Sequence, residues 1–167
     1  RGLFSLVMAT HVLFAYGLFV SLLCKQVSVR LVCGALVFGL VPSIILGLIQ
    51  TLTGVSPANS WLGLAARNAA QLGDAVFTIQ GERALRAYGV FSHPNVFSGY
   101  LGVGLFAWWH VLAEYRAKWS AGIYAGVGTF GTALLLFGLL LTGSRSAMLG
   151  LLLGLLLTVV ARGVRSS

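Results

Sequence analysis

The sequence has few charged residues for its length. Only 8% of its 167 residues are charged and 58% are hydrophobic, whereas about 25% of the residues in soluble domains are charged. Water is therefore excluded as the main solvent of this chain. Backbone groups in lipid must satisfy their hydrogen bonds within the segment, so membrane-spanning helices are expected rather than open sheets.

Cysteine and acidic residues are also scarce, with two and three in the chain. Cys24 and Cys33 fall in or beside apolar segments without ligand-like spacing, so neither a disulfide nor a metal site is expected. Asp74 and Glu82 share one polar segment and Glu114 lies elsewhere. An acidic cage for Mg²⁺ is therefore not expected, and no cofactor is predicted.

Five apolar runs predict about five spanning helices, since a span needs about 20 mostly apolar residues. The runs cover residues 3–23, 31–52, 95–112, 121–141 and 147–160. Pro42 is expected to kink the second helix, because proline lacks an amide donor. The last run is short, so its helix is expected to begin before Arg145. The predicted fold class is all-α, a polytopic transmembrane bundle.

This bundle divides into three parts: two helices in residues 1–53, a loop in residues 54–92, and three helices in residues 93–167. Arg1 is followed almost at once by an apolar run without the layout of a cleavable signal. The chain also stops soon after its last span. We therefore expect it to be part of a longer protein.

Basic residues in the short connections predict the orientation, because they remain mostly on the cytoplasmic side. Three pairs lie between spans one and two, between spans three and four, and after span five: Lys25 and Arg30, Arg116 and Lys118, Arg162 and Arg165. Five crossings place all three pairs on one side. Residues 54–92 and 144–146 then face the periplasm-like side.

Nucleic acid is not an expected partner, since the net charge of +8 is spread between apolar segments.

The polar loop contains two features of interest. Its first half is expected to form a short helix at the membrane surface, with an apolar face of Trp61, Leu62, Leu64, Ala65 and Ala69. Its second half ends in the run from Arg83 to Asn95. There Gly89 permits a reversal, Pro94 suits the first turn of span three, and Asn95 or Ser92 is expected to cap that helix.

Three arginines point to an anion. Arg83 and Arg86 lie in an outward loop, where cations contribute nothing to topology. Arg145 lies between two long apolar stretches, and burying it would cost roughly 2.5–3.5 kcal/mol, so it is expected to face a cavity or a partner; snorkelling to the interface is the alternative. Several guanidiniums together can hold a departing pyrophosphate. His93 is a hydrogen-bond donor or proton carrier in this setting.

Two motifs carry a resemblance to a known family. The runs Arg86-Ala-Tyr-Gly-Val-Phe-Ser-His-Pro-Asn95 and Leu141-Thr-Gly-Ser-Arg-Ser-Ala147, each leading into a span, resemble the core of the O-antigen ligase/polymerase family. The resemblance covers residues 31–160. It implies a larger GT-C-like fold in the bacterial inner membrane. It also implies glycan transfer from undecaprenyl pyrophosphate to a lipid A-core or a growing polysaccharide, at a periplasmic site.

By resemblance, Arg86 and Arg145, together with Arg83, would bind the donor pyrophosphate. His93, Asn95, Ser144 and Ser146 would support the site without a metal. The family carries a later periplasmic loop with a histidine that is proposed to activate the acceptor. We expect that base to lie outside this chain, and no catalytic residue is assigned within it.

Two other classes of function stay open. One is a transporter or permease module with Arg86 and Arg145 along a substrate path, for which an internal repeat is expected; the spans show none. The other is a non-catalytic membrane subunit. The resemblance itself leaves open the choice between ligase and polymerase, and with it the sugars of donor and acceptor.

Overall fold

The protein is mostly helical in a computed structural model that describes residues 16–22, 24, 27–60, 63–79 and 81–166. Residues 16–22 belong to a first helix, α1. The other four helices are α2 (Val29–Thr53), α3 (Pro94–Tyr115), α4 (Ala121–Thr142) and α5 (Arg145–Ser166). Between α2 and α3 lie four short strands, β1 (Val55–Ser56), β2 (Arg67–Asn68), β3 (Val76–Ile79) and β4 (Glu82–Leu85).

Three helices in the described part of the chain, α2, α3 and α4, are long and apolar enough to cross a membrane. They contain the expected spans at residues 31–52, 95–112 and 121–141. The apolar part of α5, Arg145–Ala161, is shorter. The expected first span lies largely outside the described residues, so five crossings and the GT-C-like fold stay predictions.

The start of α5 differs from the expectation that it would precede Arg145. Gly143 ends α4 in the left-handed conformation, with φ of 60°, and α5 begins two residues later. The Ser144 hydroxyl accepts a hydrogen bond from the amide of Ala147 at 3.4 Å. A left-handed glycine followed by a capping serine stops one helix and starts another, so Arg145 is the first residue of α5.

The start of α3 also corrects a prediction. Pro94 lies in the first turn as expected, but the cap is His93, whose side chain accepts from the Asn95 amide. The distance from the Asn95 amide to His93 Nδ1 is 3.1 Å. Neither Asn95 nor Ser92 has this role. In α2, the helix continues through Pro42, and the kink stays a prediction.

The main core lies where α3 packs against α2 and α4. Its buried residues are Leu40, Ile44, Ala87, Phe97, Leu101, Leu105, Leu135 and Leu139. Glycine allows close approach at these contacts: a Cβ atom at Gly138 would lie 2.9 Å from Ile44 Cγ1. Ala87 is the one member of this core that comes from the loop, so the loop is anchored directly between the helices.

The segment between α2 and α3 contains strands where a surface helix was expected. β1 pairs with β2, and β3 with β4, both antiparallel. Leu64 forms a bridge with Asn59, Ala69 lies in a turn, and Trp61 and Leu62 are outside the described residues. Glycines with positive φ recur along this segment at Gly63, Gly73 and Gly81. Such glycines favour turns, and the backbone groups then pair between neighbouring strands.

A buried glutamine near the end of α2 ties the loop to the helices. Gln50 is 1% exposed, and its Nε2 donates to Ser56 Oγ at 3.0 Å and to the Gly89 carbonyl at 3.1 Å. Its Oε1 accepts from the amides of Tyr88 at 3.1 Å and of Gly89 at 2.9 Å. Both donors and both acceptor positions of the amide are therefore used. This clamp holds residues 88–89 against α2.

Replacing Gln50 with leucine is expected to lower the free energy of unfolding by about 3 kcal/mol or more, because the buried amides of Tyr88 and Gly89 lose their acceptor. Thermal or denaturant unfolding in detergent micelles measures the change. Gln71→Leu is the matched control, since Gln71 is exposed; its effect should stay within about 0.5 kcal/mol. Equal stability of the two variants would contradict the clamp.

Candidate anion-binding cavity

A cavity of about 580 Å³ lies where the starts of α3 and α5 and the end of α4 meet strand β3. Its lining residues are Val76, Phe77, Thr78, Arg86, Asn95, Gly143, Ser144, Arg145 and Ser146. The two sequence motifs that carry the family resemblance therefore meet at one cavity. They are brought together because α4 returns the chain to the end at which α3 begins.

Arg86 is fixed in position by two hydrogen bonds. Its Nε donates to the Thr142 carbonyl, and its Nη2 donates to Asn95 Oδ1 at 2.9 Å. The neighbouring Ala87 amide donates to the Leu141 carbonyl at 3.0 Å. The last carbonyls of a helix lack intrahelical partners, and a cation there complements the helix dipole. Arg86 is thus held by the end of α4.

The charge of Arg86 persists in this setting. Partial burial lowers the pKa of its guanidinium from the ordinary value, and Tyr88 acts in the opposite direction. Arginine nevertheless remains protonated at any physiological pH. The two hydrogen bonds use one Nε and one Nη2 donor, so the Nη1 group has no hydrogen-bond partner among the described residues and is available to a ligand.

Arg145 is held differently. Its side chain is exposed and makes no hydrogen bond or ion pair within the described part of the chain. It is the first residue of α5, where the amides of Ala147 and Met148 donate to Ser144 at 3.4 and 3.2 Å. The amides of Arg145 and Ser146 have no such partner among the residues that the structure describes. Free amides at a helix start favour an anion.

The three acidic residues of the chain, Asp74, Glu82 and Glu114, do not line the cavity. Asp74 Oδ1 accepts from Arg67 at 3.0 Å, and Glu114 lies 3.5 Å from Arg30 and 3.7 Å from His110. Within the described ranges, no carboxylate lies at salt-bridge distance from Arg86 or Arg145. The cavity therefore combines two guanidiniums with amide and hydroxyl groups, an arrangement that attracts a multiply charged anion.

The other residues singled out from the sequence divide into two groups. Asn95, Ser144 and Ser146 line the cavity, and the hydroxyls of Ser144 and Ser146 are 3.2 Å apart. Arg83 and His93 do not line it. Arg83 is exposed on β4 and donates to the Gln71 carbonyl at 3.0 Å, and His93 caps α3.

Several residues that build the site were not singled out from the sequence. Arg67 lies over the Tyr88 ring at 4.1 Å and donates to the Ser92 carbonyl at 2.8 Å, so it braces the run that carries Arg86. Gln50 fixes the same run from α2. A lone amide within an apolar span is a signal that could have identified Gln50; no sequence signal identifies Phe77.

Comparisons with protein-family models, with curated proteins and with solved structures find no match to this chain. Function is therefore inferred from the chemistry of the cavity and from the resemblance of the two motifs.

Replacing Gly143 with alanine is expected to lower stability by about 1–2 kcal/mol, because an L-residue is strained in the left-handed conformation. The added Cβ would also overlap the Phe77 ring and displace β3 from the cavity. Thermal unfolding in micelles measures the loss. Gly126→Ala, in the same helix, is the control, since a Cβ there meets no heavy atom within 4 Å.

A double variant isolates the steric part of this effect. Phe77→Ala combined with Gly143→Ala should recover some of the stability lost by Gly143→Ala alone, as a positive coupling in a double-mutant cycle. Strictly additive losses would show that Phe77 does not pack on Gly143 as described.

Proposed function

We propose that the cavity binds the pyrophosphate of a lipid-linked glycan and that the chain is part of a membrane glycosyltransferase resembling O-antigen ligases and polymerases. One observation carries the proposal. Arg86 and Arg145, from two motifs far apart in sequence, line a single cavity that no carboxylate shares among the described residues. The donor is an undecaprenyl pyrophosphate-linked glycan, and the acceptor is a lipid A-core or a growing polysaccharide.

In the proposed reaction, an acceptor hydroxyl attacks the anomeric carbon of the donor sugar. The bond from that carbon to the pyrophosphate oxygen breaks, and the electron pair leaves with the pyrophosphate. The proton of the acceptor goes to a base that we place outside this chain. Arg86 and Arg145 stabilise the negative charge that develops on the leaving group, which lowers the barrier because preorganised charges need little rearrangement.

The two arginines have different parts in this proposal. Arg86, held by Thr142 and Asn95, presents a fixed donor group. Arg145, exposed at the start of α5, can adjust to the bound diphosphate together with the free amides and the Ser146 hydroxyl. A fixed and an adjustable cation together suit a leaving group that changes charge and position during the reaction.

The proposed location is the bacterial inner membrane, with the cavity on the periplasmic side. Three long apolar helices support a membrane protein. Lys118, in the connection between α3 and α4, lies at the opposite end of α3 from Asn95. The positive-inside preference therefore supports a cytoplasmic position for this connection and an outward position for the cavity.

Replacing Arg145 with alanine is expected to weaken the binding of inorganic pyrophosphate about 10- to 100-fold, because charge-assisted hydrogen bonds to the guanidinium are lost. Isothermal titration calorimetry on the chain in nanodiscs measures the affinity. Arg145 is substituted rather than Arg86, because Arg86 also forms a structural hydrogen bond with the end of α4. The affinity of Arg145→Lys for pyrophosphate should lie between those of the unaltered chain and of Arg145→Ala, since lysine keeps the charge without the planar guanidinium.

Arg116→Ala is the matched control for this experiment. Arg116 is an exposed cation in the connection between α3 and α4, so its removal changes the net charge equally but should leave affinity unchanged. If Arg145→Ala bound pyrophosphate as tightly as the unaltered chain, the proposed site would be wrong. Binding that depends on Arg145 without any glycan transfer by the full protein would favour the permease or subunit alternatives.

Orientation is testable by cysteine labelling in bacterial cells. In a Cys24→Ser, Cys33→Ser background, Gln71→Cys should react with a membrane-impermeant maleimide in intact cells. Lys118→Cys should react only after permeabilisation, because the positive-inside preference places it in the cytoplasm. Labelling of position 118, but not position 71, in intact cells would show that the proposed orientation is wrong and that the opposite one holds.

A further inference from the structure

The first turn of α3 has one amide that depends on a side chain for its hydrogen bond. Pro94 has no amide hydrogen, and the amides of Val96 and Phe97 donate to the His93 carbonyl at 3.0 and 3.2 Å. The remaining amide, that of Asn95, donates to His93 Nδ1 at 3.1 Å. The His93 imidazole therefore satisfies the amide of this turn that the backbone leaves free.

This hydrogen bond requires a neutral imidazole. A ring nitrogen accepts a hydrogen bond only when it carries no proton, and both nitrogens of the protonated ring are donors. Protonated His93 would therefore present an N–H group where the Asn95 amide needs an acceptor. It would also place a positive charge at the start of a helix, where the helix dipole disfavours cations. The cap of α3 is thus present while His93 is neutral and is lost as the imidazole gains a proton at lower pH.

The surroundings of His93 are open to solvent and contain a cation. The His93 side chain is exposed, and histidine is the side chain that ordinarily changes its charge between about pH 5 and 8. Its ring meets the Tyr88 ring edge-on, with 6.3 Å between the centroids. Arg67 lies over the same tyrosine ring and donates to the carbonyl of Ser92, next to His93. Asp74 is paired with Arg67, and no carboxylate in the described ranges forms an ion pair with His93.

Asn95 connects this cap to the cavity. Its amide donates to His93, its side-chain Oδ1 accepts from Arg86 Nη2 at 2.9 Å, and it lines the cavity. Its carbonyl accepts from the Ser98 hydroxyl at 2.7 Å. When the hydrogen bond to His93 is lost, the first turn of α3 loosens, and Asn95 no longer holds the Arg86 guanidinium in one orientation. The protonation of His93 is therefore coupled to the position of a cavity cation.

The caps of α2, α4 and α5 do not titrate. Ser28, Ser120 and Ser144 accept hydrogen bonds from amides in the first turns of these helices, and a serine hydroxyl accepts at any physiological pH. Histidine is not among the residues that are preferred at this position. The titratable cap thus occurs at the helix that supplies Asn95 to the cavity.

We propose that His93 is a pH-sensitive positioning residue of the anion-binding cavity: its neutral imidazole fixes Asn95, and with it Arg86, and its protonation weakens the binding of a diphosphate. This inference rests on the proposed function and adds the regulation of the same site by pH. His93 acts through Asn95, since it does not line the cavity. A cation added near an anion site would by its charge alone strengthen binding, so a loss of affinity at low pH is the distinctive consequence of the lost cap.

Calorimetric titration of inorganic pyrophosphate into the chain in nanodiscs, at about pH 5 and about pH 8, tests this inference. The affinity of each protein at the lower pH is divided by its own affinity at the higher pH, so that the titration of pyrophosphate itself affects all proteins equally. This ratio should be at least about fivefold lower for the unaltered chain than for His93→Asn, because asparagine is a good cap that does not titrate.

His110→Asn is the matched control for the removal of a histidine. His110 lies in the last two turns of α3, at 3.7 Å from Glu114, and not at the cap. This variant should keep the affinity ratio of the unaltered chain. Equal ratios for the unaltered chain and His93→Asn would overturn the inference. A higher ratio for the unaltered chain would also overturn it, because the proton would then act as an added cation.

Hydrogen exchange reports on the cap without any ligand. Corrected for the intrinsic exchange rate, the protection of the start of α3 should fall between the higher and the lower pH in the unaltered chain. It should stay constant in His93→Asn and be low at both pH values in His93→Ala. If pyrophosphate bound at neither pH, the proposed function would be wrong and the regulation would fall with it, whereas constant protection in the unaltered chain would overturn the titratable cap alone.

Discussion

The site depends on one buried amide. Gln50 is the point at which α2 holds the loop that follows it, and its four hydrogen bonds use both donors and both acceptor positions of the amide. Because Tyr88 and Gly89 are held by this side chain, Ala87 enters the helix core and Arg86 reaches the end of α4. A buried polar group is costly unless it is hydrogen-bonded, and Gln50, which is buried, makes all of its hydrogen bonds.

The Arg86 side chain both stabilises the fold, through its hydrogen bonds to Thr142 and Asn95, and lines the cavity. Its Nε satisfies a carbonyl at the end of α4, and Asn95, in the first turn of α3, fixes the far edge of its guanidinium. The cation is therefore oriented by helix ends rather than by a carboxylate. A paired carboxylate would have neutralised it, so this construction keeps a full positive charge at the cavity.

The sequence predicts the helices well because apolar runs of membrane length permit little else: residues 31–52, 95–112 and 121–141 fall inside α2, α3 and α4. It also singles out Arg86 and Arg145, which share the cavity, because Arg86 is a cation in a loop predicted to face outward and Arg145 lies between two long apolar stretches. Strand pairing in the loop, the His93 cap and the role of Gln50 depend on contacts between distant segments, and apolar periodicity carries no information about them. The start of α5 was missed because the hydrophobic pattern ignores the left-handed break at Gly143.

The connection between α4 and α5 contains only Gly143 and Ser144. Three consecutive peptide links can separate the Cα atoms of Thr142 and Arg145 by at most about 11 Å. Because Arg86 is hydrogen-bonded to the Thr142 carbonyl, this short connection limits the distance between Arg86 and the start of α5, where Arg145 lies.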